Sequence, residues 1–541
     1  MVNKPIITLR QLSVTYPTTK SALRDLNLSI LDGEFVVLMG KTGSGKSTLA
    51  LTITGLIPRI IKAQVKGEII IANKSSNHGP WEVGIVLQDF ETQLFSTNVF
   101  LEIAFVMENM RIPADEIRKR CGEILNLLKI NHLAERNVLS LSGGEKQIVA
   151  IASVIAGDFK IFVFDEPTTD LDPAGKNMVY DIFGKVSGTK LIIDNEPEKA
   201  LKAARILILR EGKLIADGKP EKILSANKFL EDNGIRPLDT SQIFPGILTV
   251  EDAFRYIKEN NIPLKRIDFS KKTIPTTKPL IKCTAISFAY NKGVPVLDDI
   301  NLVINHGDFL SIIGQNGSGK TTLAKILCGL LNPQKGIVRI KNKALREYHR
   351  KELAGVIGYV FQNPDHQIFC NTVEEEITFA LKNFGWPENK ITEAIRTVLK
   401  LCELEGYEDK DPFTLTRDEK QRLAVATVLA FKPEIIILDE PTTGLDYQQQ
   451  IKIMNLLKTL NDKGYTIIII THTMWLVTEY TNRTVVMANG RIVLDGETRD
   501  VFKNEEILWR YHLEPPSVCR LGNRLGLNVL TVAEFKKCIS M

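Results

Sequence analysis

Apolar residues in this chain gather in short runs. Phe35–Met39, Phe309–Ile313, Ile161–Phe164, Ile435–Leu438 and Ile467–Ile470 are each four or five residues long. Apolar runs of that length, interrupted among these five only by Ser311 and bounded by turn residues, predict fully buried strands. The first two are followed by glycine-rich turns, and helices are predicted to begin at Leu49 and Leu323. A third predicted helix runs from Glu145 through Ala156, opened by Ser142-Gly143-Gly144. No run approaches the ~20 apolar residues that cross a bilayer, so the chain is expected not to span a membrane.

The pattern occurs twice. Lys46 recurs as Lys320, Glu166 as Glu440, Tyr16 as Tyr290 and Gln88 as Gln362, in every case 274 positions later. The halves therefore align from Tyr16 to Asp172 without net insertion, and the register slips by a few residues afterwards. Each half closes on a similar tail. Arg236-Pro237 followed by Leu248-Thr249-Val250-Glu251 resembles Pro515-Pro516 followed by Leu530-Thr531-Val532-Ala533-Glu534. Self-similarity on this scale is a tandem duplication. The expected division is a first nucleotide-binding domain at 1–233, tail and linker at 234–279, a second domain at 280–506 and a last tail at 507–541. The stretch Arg266 to Pro279, rich in Lys, Thr and Pro, reads as the linker.

Composition narrows the class without naming it. The 541 residues are 44% apolar and 25% charged, which supplies folded cores and excludes a mainly disordered chain. Seven scattered cysteines without a Cys-x-x-Cys pair argue against a disulfide framework or a zinc site, and for a reducing compartment. No apolar stretch follows the start Met1–Pro5, so no secretory signal is expected there. A net charge of +5 permits contact with nucleic acid or anionic membrane but does not argue for either.

Chemistry enters with the repeated motifs. Gly40-Lys41-Thr42-Gly43-Ser44-Gly45-Lys46-Ser47-Thr48 and Gly314-Gln315-Asn316-Gly317-Ser318-Gly319-Lys320-Thr321-Thr322 carry the pattern G-x-x-x-x-G-K-[ST]. Glycines let backbone N–H groups curl around phosphate oxygens. The lysine reaches the β- and γ-phosphates, and Ser47 or Thr321 ligates Mg²⁺. Asp165-Glu166 and Asp439-Glu440 each end an apolar strand. The Asp is suited to hold the metal, and the Glu to polarise an attacking water as general base. Leu141-Ser142-Gly143-Gly144-Glu145 offers an anion nest of a hydroxyl, bare N–H groups and a helix dipole.

Two phosphate loops with a Leu-Ser-Gly-Gly segment resemble two fused ATPase domains of the ABC-transporter superfamily, and the resemblance covers nearly the whole chain. It implies an α/β fold of two P-loop NTPase domains in tandem, each with a helical signature subdomain and a small C-terminal tail. It also implies ATP and Mg²⁺ as cofactors. The domains would pair head to tail, each ATP clamped between one domain's phosphate loop and the other's Ser142-Gly143-Gly144 or its counterpart. Membrane-spanning subunits encoded separately would be the partners, nucleic acid would not, and the site of action would be the cytoplasmic face of the cell membrane. Tyr16 and Tyr290, which alone would read as packing residues, match the aromatic that stacks on adenine. Gln88 and Gln362 match the glutamine that senses Mg²⁺ and communicates with the membrane partner. Gln362-Asn363-Pro364-Asp365-His366-Gln367-Ile368-Phe369, then Thr372 through Phe379, resembles the energy-coupling-factor importers of vitamins and transition metals. The first half keeps a looser version, Gln88 through Phe95.

The halves differ where the chemistry is decided. The second signature reads Leu415-Thr416-Arg417-Asp418-Glu419, so its Ser-Gly-Gly is gone. Arg417 and Asp418 are expected to crowd the nest, and Asp418 to place negative charge where a γ-phosphate should sit. The second half has His472, whereas the first has Asp194 or Asn195 at the corresponding place. Head-to-tail pairing would put both losses on the site of Lys46, Asp165 and Glu166. The site of Lys320, Asp439, Glu440 and His472 would be complete. Two other assignments compete: the fused ATPase of a sugar importer, and a soluble tandem ATPase acting on ribosomes or DNA. The latter carries a long helical linker, which Pro237, Pro245, Pro263, Pro275 and Pro279 would break here.

Overall fold

The structure is a computed structural model that describes residues 4–17, 21–72, 74–75, 82–269, 278–290 and 293–539. The linker expected from Arg266 to Pro279 lies partly outside the described residues, at 270–277. Two compact units divide the chain at Thr249/Val250.

In the first unit a six-stranded sheet runs in the order Lys213–Gly218, Arg205–Arg210, Phe35–Met39, Thr189–Ile193, Ile161–Asp165, Val83–Val86. Its pairings are parallel except at the Lys213–Gly218 edge. Strands Ile161–Asp165 and Thr189–Ile193 are buried at every position, because both faces of a parallel sheet are covered. That is why Ile161–Phe164 reads as an unbroken apolar run rather than an alternating one. An antiparallel sheet of Ser21–Leu31, Pro5–Thr15, Gln64–Ile71 and Lys74–Ser75 packs a second core against helix Lys46–Ile53. Helices Val99–Asn109, Ala114–Leu127 and Gly143–Ala156 form the helical part of the unit.

The second unit repeats this plan. Its six strands run Ile357–Val360, Ile435–Asp439, Thr466–Ile470, Phe309–Gly314, Arg483–Ala488, Arg491–Glu497. Helices Val373–Asn383, Glu388–Leu401 and Arg417–Leu429 are the helical part. The fold is thus α/β, with the phosphate-loop strand inside the sheet in each unit. The turn after a central parallel strand is the crevice where α/β sheets bind ligands.

The tails divide differently from the sequence pattern. Ile235 and Leu238 join the first unit's core. Helix Val250–Glu259, by sequence part of the first tail, belongs to the second unit and packs on helix Ser517–Arg524. Arg524 lies over the Phe254 ring at 3.9 Å and bonds Glu251 at 2.6 Å. Among the described residues no helix is long and apolar enough to cross a membrane.

Candidate functional site

The phosphate loops are built by backbone that only glycine tolerates. Gly40 and Gly314 have φ of 146° and 157°, and a Cβ on either would lie 2.2 Å from a carbonyl oxygen, of Leu209 or Met487. The helices begin at Lys46 and Lys320, one turn earlier than expected at Leu49 and Leu323. The left-handed Gly45 and Gly319 supply no side-chain cap, so the first-turn N–H groups stay available to an anion. Lys46 Nζ donates to the carbonyls of Gly40 and Lys41 at 2.6 and 2.8 Å. Lys320 Nζ donates to those of Gly314 and Gln315, both at 2.8 Å. Ser44 and Ser318 hydroxyls are buried without a partner inside the loops.

The carboxylates arrive from the neighbouring apolar strands. The Ser47 hydroxyl acts on Asp165, and that of Thr321 on Asp439, each favouring the charged carboxylate. Burial pushes the Asp165 carboxyl up to about 6, with the Ser47 bond and Lys46 opposing it. Burial also raises that of Asp439, with Glu440 adding to the effect. Asp165 Oδ1 and Asp439 Oδ1 are buried and unpartnered. An unsatisfied carboxylate oxygen beside a hydroxyl fits Mg²⁺, which prefers oxygen and takes one or two protein ligands together with substrate phosphates. Glu166 and Glu440 follow with φ of 50° and 48°, strained for a side chain of that size. Each is held by its own N–H donating to the end of the next strand, Ile193 or Ile470, at 2.9 Å.

Here the two units part. Glu440 Oε1 lies 3.0 Å from His472 Nδ1, with both side chains about nine-tenths buried. Burial raises the Glu440 carboxyl, but His472, and to a lesser degree Lys320, outweigh it and hold it below the usual glutamate range. Its other oxygen, Oε2, is unpartnered. Glu166 has no such neighbour and accepts instead from Gln88 Nε2 at 2.8 Å and Thr169 Oγ1 at 3.3 Å. Sheet register settles which residue replaces His472. Phe35 pairs with Lys190, and Phe309 with Ile467, so Asn195 is the counterpart. Asn195 clasps the backbone of Gly40, accepting from its N–H and donating to its C=O, both at 3.0 Å. Asp194 is turned into the core, where it accepts from Thr168 Oγ1 at 2.7 Å and the Tyr180 hydroxyl at 3.0 Å.

Tyr16 and Tyr290 stand beside their loops, hydroxyls 3.2 Å from Thr48 Oγ1 and 3.3 Å from Thr322 Oγ1. Tyr290 keeps its ring half exposed, as a stacking platform requires. Ser142 caps helix Gly143–Ala156, which starts two residues before the expected Glu145, and it exchanges bonds with Glu145. A Cβ on Gly143 would meet nothing nearer than 3.8 Å, so this helix start is open.

The second signature corrects one expectation. Asp418 does not hold its charge out at the helix start. It accepts from Thr416 Oγ1 and Gln449 Nε2 at 2.8 Å, and Arg422 lies 3.5 Å away. Arg417 extends over Gly444, where an added Cβ would sit 2.6 Å from its Cζ.

Beside the glutamines, the adjacent apolar residues Ile368 and Phe369 take different places. Ile368 is core, whereas Phe369 is 58% exposed and meets Phe379 edge-on at 4.8 Å. Phe95 and Phe105 repeat the arrangement at 4.6 Å, Phe95 being 62% exposed. The buried carboxylates of Glu102 and Glu376 hold these loops by accepting two backbone N–H groups each, at 2.7–3.1 Å. Glu376 and Phe379 stood in the Thr372–Phe379 segment without a role of their own, and Glu102 and Phe105 were not singled out, although they precede Glu376 and Phe379 by the same 274 positions.

A family model described as ABC transporter matches residues 23–169 and 297–443, one match in each half. A putative ABC transporter ATP-binding protein of Caldanaerobacter subterraneus subsp. tengcongensis is 42% identical over 98% of both chains. One from Methanosarcina acetivorans is 36% identical over 98% of this chain and 93% of that protein. A solved structure of cbiO1 from Clostridium perfringens, described as part of the ABC transporter complex cbiONQ, is 36% identical. It covers 45% of this chain and 98% of its own, with a TM-score of 0.40. With paired phosphate loops, Asp-Glu strand ends and glycine-opened signature helix on the same fold, the chain belongs to the ABC transporter family as a tandem ATP-binding ATPase.

Proposed function

We propose that this ABC transporter ATPase powers an importer of the energy-coupling-factor type, taking up a vitamin or a transition metal, through one complete and one degenerate site. The observation that carries the asymmetry is the buried Glu440–His472 pair, against Glu166 bonded to Gln88 with Asn195 in the place of the histidine. In the complete site Glu440 takes a proton from the attacking water through Oε2, while His472 holds Oε1. His472 is left with Nε2 for the γ-phosphate. Lys320 and the loop N–H groups orient the phosphates. Thr321, Asp439 and Gln362 would hold Mg²⁺, which would supply charge neutralisation for the phosphates. Tyr290 stacks on adenine, and Ser142, Gly143 and Gly144 close the site by head-to-tail pairing of the domains. Lys46, Ser47, Asp165, Gln88 and Tyr16 bind a second nucleotide that turns over slowly. The domain bounds proposed for these roles are 1–233 and 280–506, with 234–279 and 507–541 as tails.

The importer reading rests on the segment Gln362–Phe369. The exposed edge-on pairs Phe369–Phe379 and Phe95–Phe105 support docking of a short helix from a separately encoded membrane subunit. Calorimetry on the purified chain should find Mg-ATP binding with slow hydrolysis; no measurable ATP affinity would end the reading.

A further inference from the structure

The Asp439 carboxylate has a partner that its first-half counterpart lacks. Strand Ile357–Val360 runs parallel to Ile435–Asp439, with Tyr359 opposite Ile437. The Tyr359 hydroxyl donates to Asp439 Oδ2 at 2.9 Å. Phe361 meets the Tyr359 ring edge-on at 5.0 Å and 83°, so the phenol is steered by packing. In the first unit the same register position, opposite Val163, is Ile85, which has no hydroxyl to give. Asp165 therefore has Ser47 but no phenol, whereas Asp439 has both Thr321 and Tyr359.

We propose that Tyr359 is a positioning residue for the metal of the second-half site: it fixes Oδ2 of Asp439 and leaves the unpartnered Oδ1 for Mg²⁺. This rests on the reading of Asp439 as the metal-holding carboxylate. A carboxylate pinned at one oxygen loses less torsional freedom when the other meets a cation, and partners of this kind set metal affinity. The difference adds a third asymmetry between the sites, independent of the signature and of His472.

The test uses the full chain carrying Lys46→Ala, which silences nucleotide binding at the first-half loop. Mn²⁺ serves as the probe, with a non-hydrolysable ATP analogue. The Mn²⁺ midpoint is read by electron paramagnetic resonance, and analogue affinity in EDTA by calorimetry. Tyr359→Phe keeps the ring on Phe361 and should raise the Mn²⁺ midpoint roughly tenfold, with metal-free affinity unchanged. Tyr359→Ile, which imports the first-half residue, should do the same, and Asp439→Asn should raise the midpoint further. An unchanged midpoint for Tyr359→Phe beside a raised one for Asp439→Asn overturns the positioning role alone. Unchanged midpoints for both overturn the metal assignment beneath it. Equal losses with and without metal would make Tyr359 a packing residue and overturn the proposal.

Discussion

Glu440→Gln removes one proton-accepting oxygen and changes almost nothing else in size. In the structure that oxygen belongs to a carboxylate held in strained backbone, anchored by His472 at 3.0 Å and shielded from water. A positioned general base contributes on the order of 10²–10⁴ in rate. At about 1.36 kcal/mol per decade, this is roughly 3–5 kcal/mol of barrier. On the single-working-site reading the first-half site does not compensate: its Glu166 accepts from Gln88 at 2.8 Å where Glu440 has His472. Steady-state phosphate release should therefore fall about a hundredfold or more, with ATP binding preserved, since the loop and Lys320 are untouched. Glu166→Gln should cost no more than about twofold if the second-half site carries the turnover. His472→Ala removes the anchor and leaves Lys320 as the side chain that still opposes burial at Glu440. It should fall with Glu440→Gln, and the double variant should be no worse than either, as groups acting as one unit are not additive. Equal losses for Glu166→Gln and Glu440→Gln would falsify the single-working-site reading.

Three further outcomes are expected. Ser142→Ala should slow turnover about tenfold or more although it lies in the other half from Glu440; phosphate release at the parental rate would argue against head-to-tail pairing. Phe369→Asp charges an exposed ring, so it should leave ATP hydrolysis by the isolated chain intact and abolish transport in cells; uptake at the parental rate would remove the docking surface. Burial, with Glu196 adding to it and Lys176 opposing, raises the Asp194 carboxyl to about 6. With a folded value above the ordinary 3.8, its contribution to stability is complete below 3.8 and lost as pH rises through about 6. Thermal unfolding should then show Asp194→Asn gaining stability over the parent between pH 4 and 7, and parallel curves across that range would refute the assignment.

The sequence alone was enough for the duplicated α/β plan, the strands and the phosphate loops. These are local: a run such as Ile161–Phe164 is buried on both faces, and Gly40 must bend where a Cβ would strike a carbonyl. Loss of the second Ser-Gly-Gly and of one histidine was equally readable, because a duplicated chain carries its own comparison. What a missing or added side chain does was decided by tertiary structure. Asp418 looked like a misplaced charge until Gln449, far along the chain, turned it inward. Asn195 was the preferred counterpart of His472 with Asp194 still allowed, until the register with Phe35 separated a core carboxylate from a clasp on the phosphate loop. Tyr359 reads as one more apolar strand residue, and only the parallel pairing with Ile435–Asp439 brings its hydroxyl to Asp439. Backbone form follows from neighbours in sequence. Hydrogen bonds between side chains tens of residues apart depend on distances that only the packed sheets set.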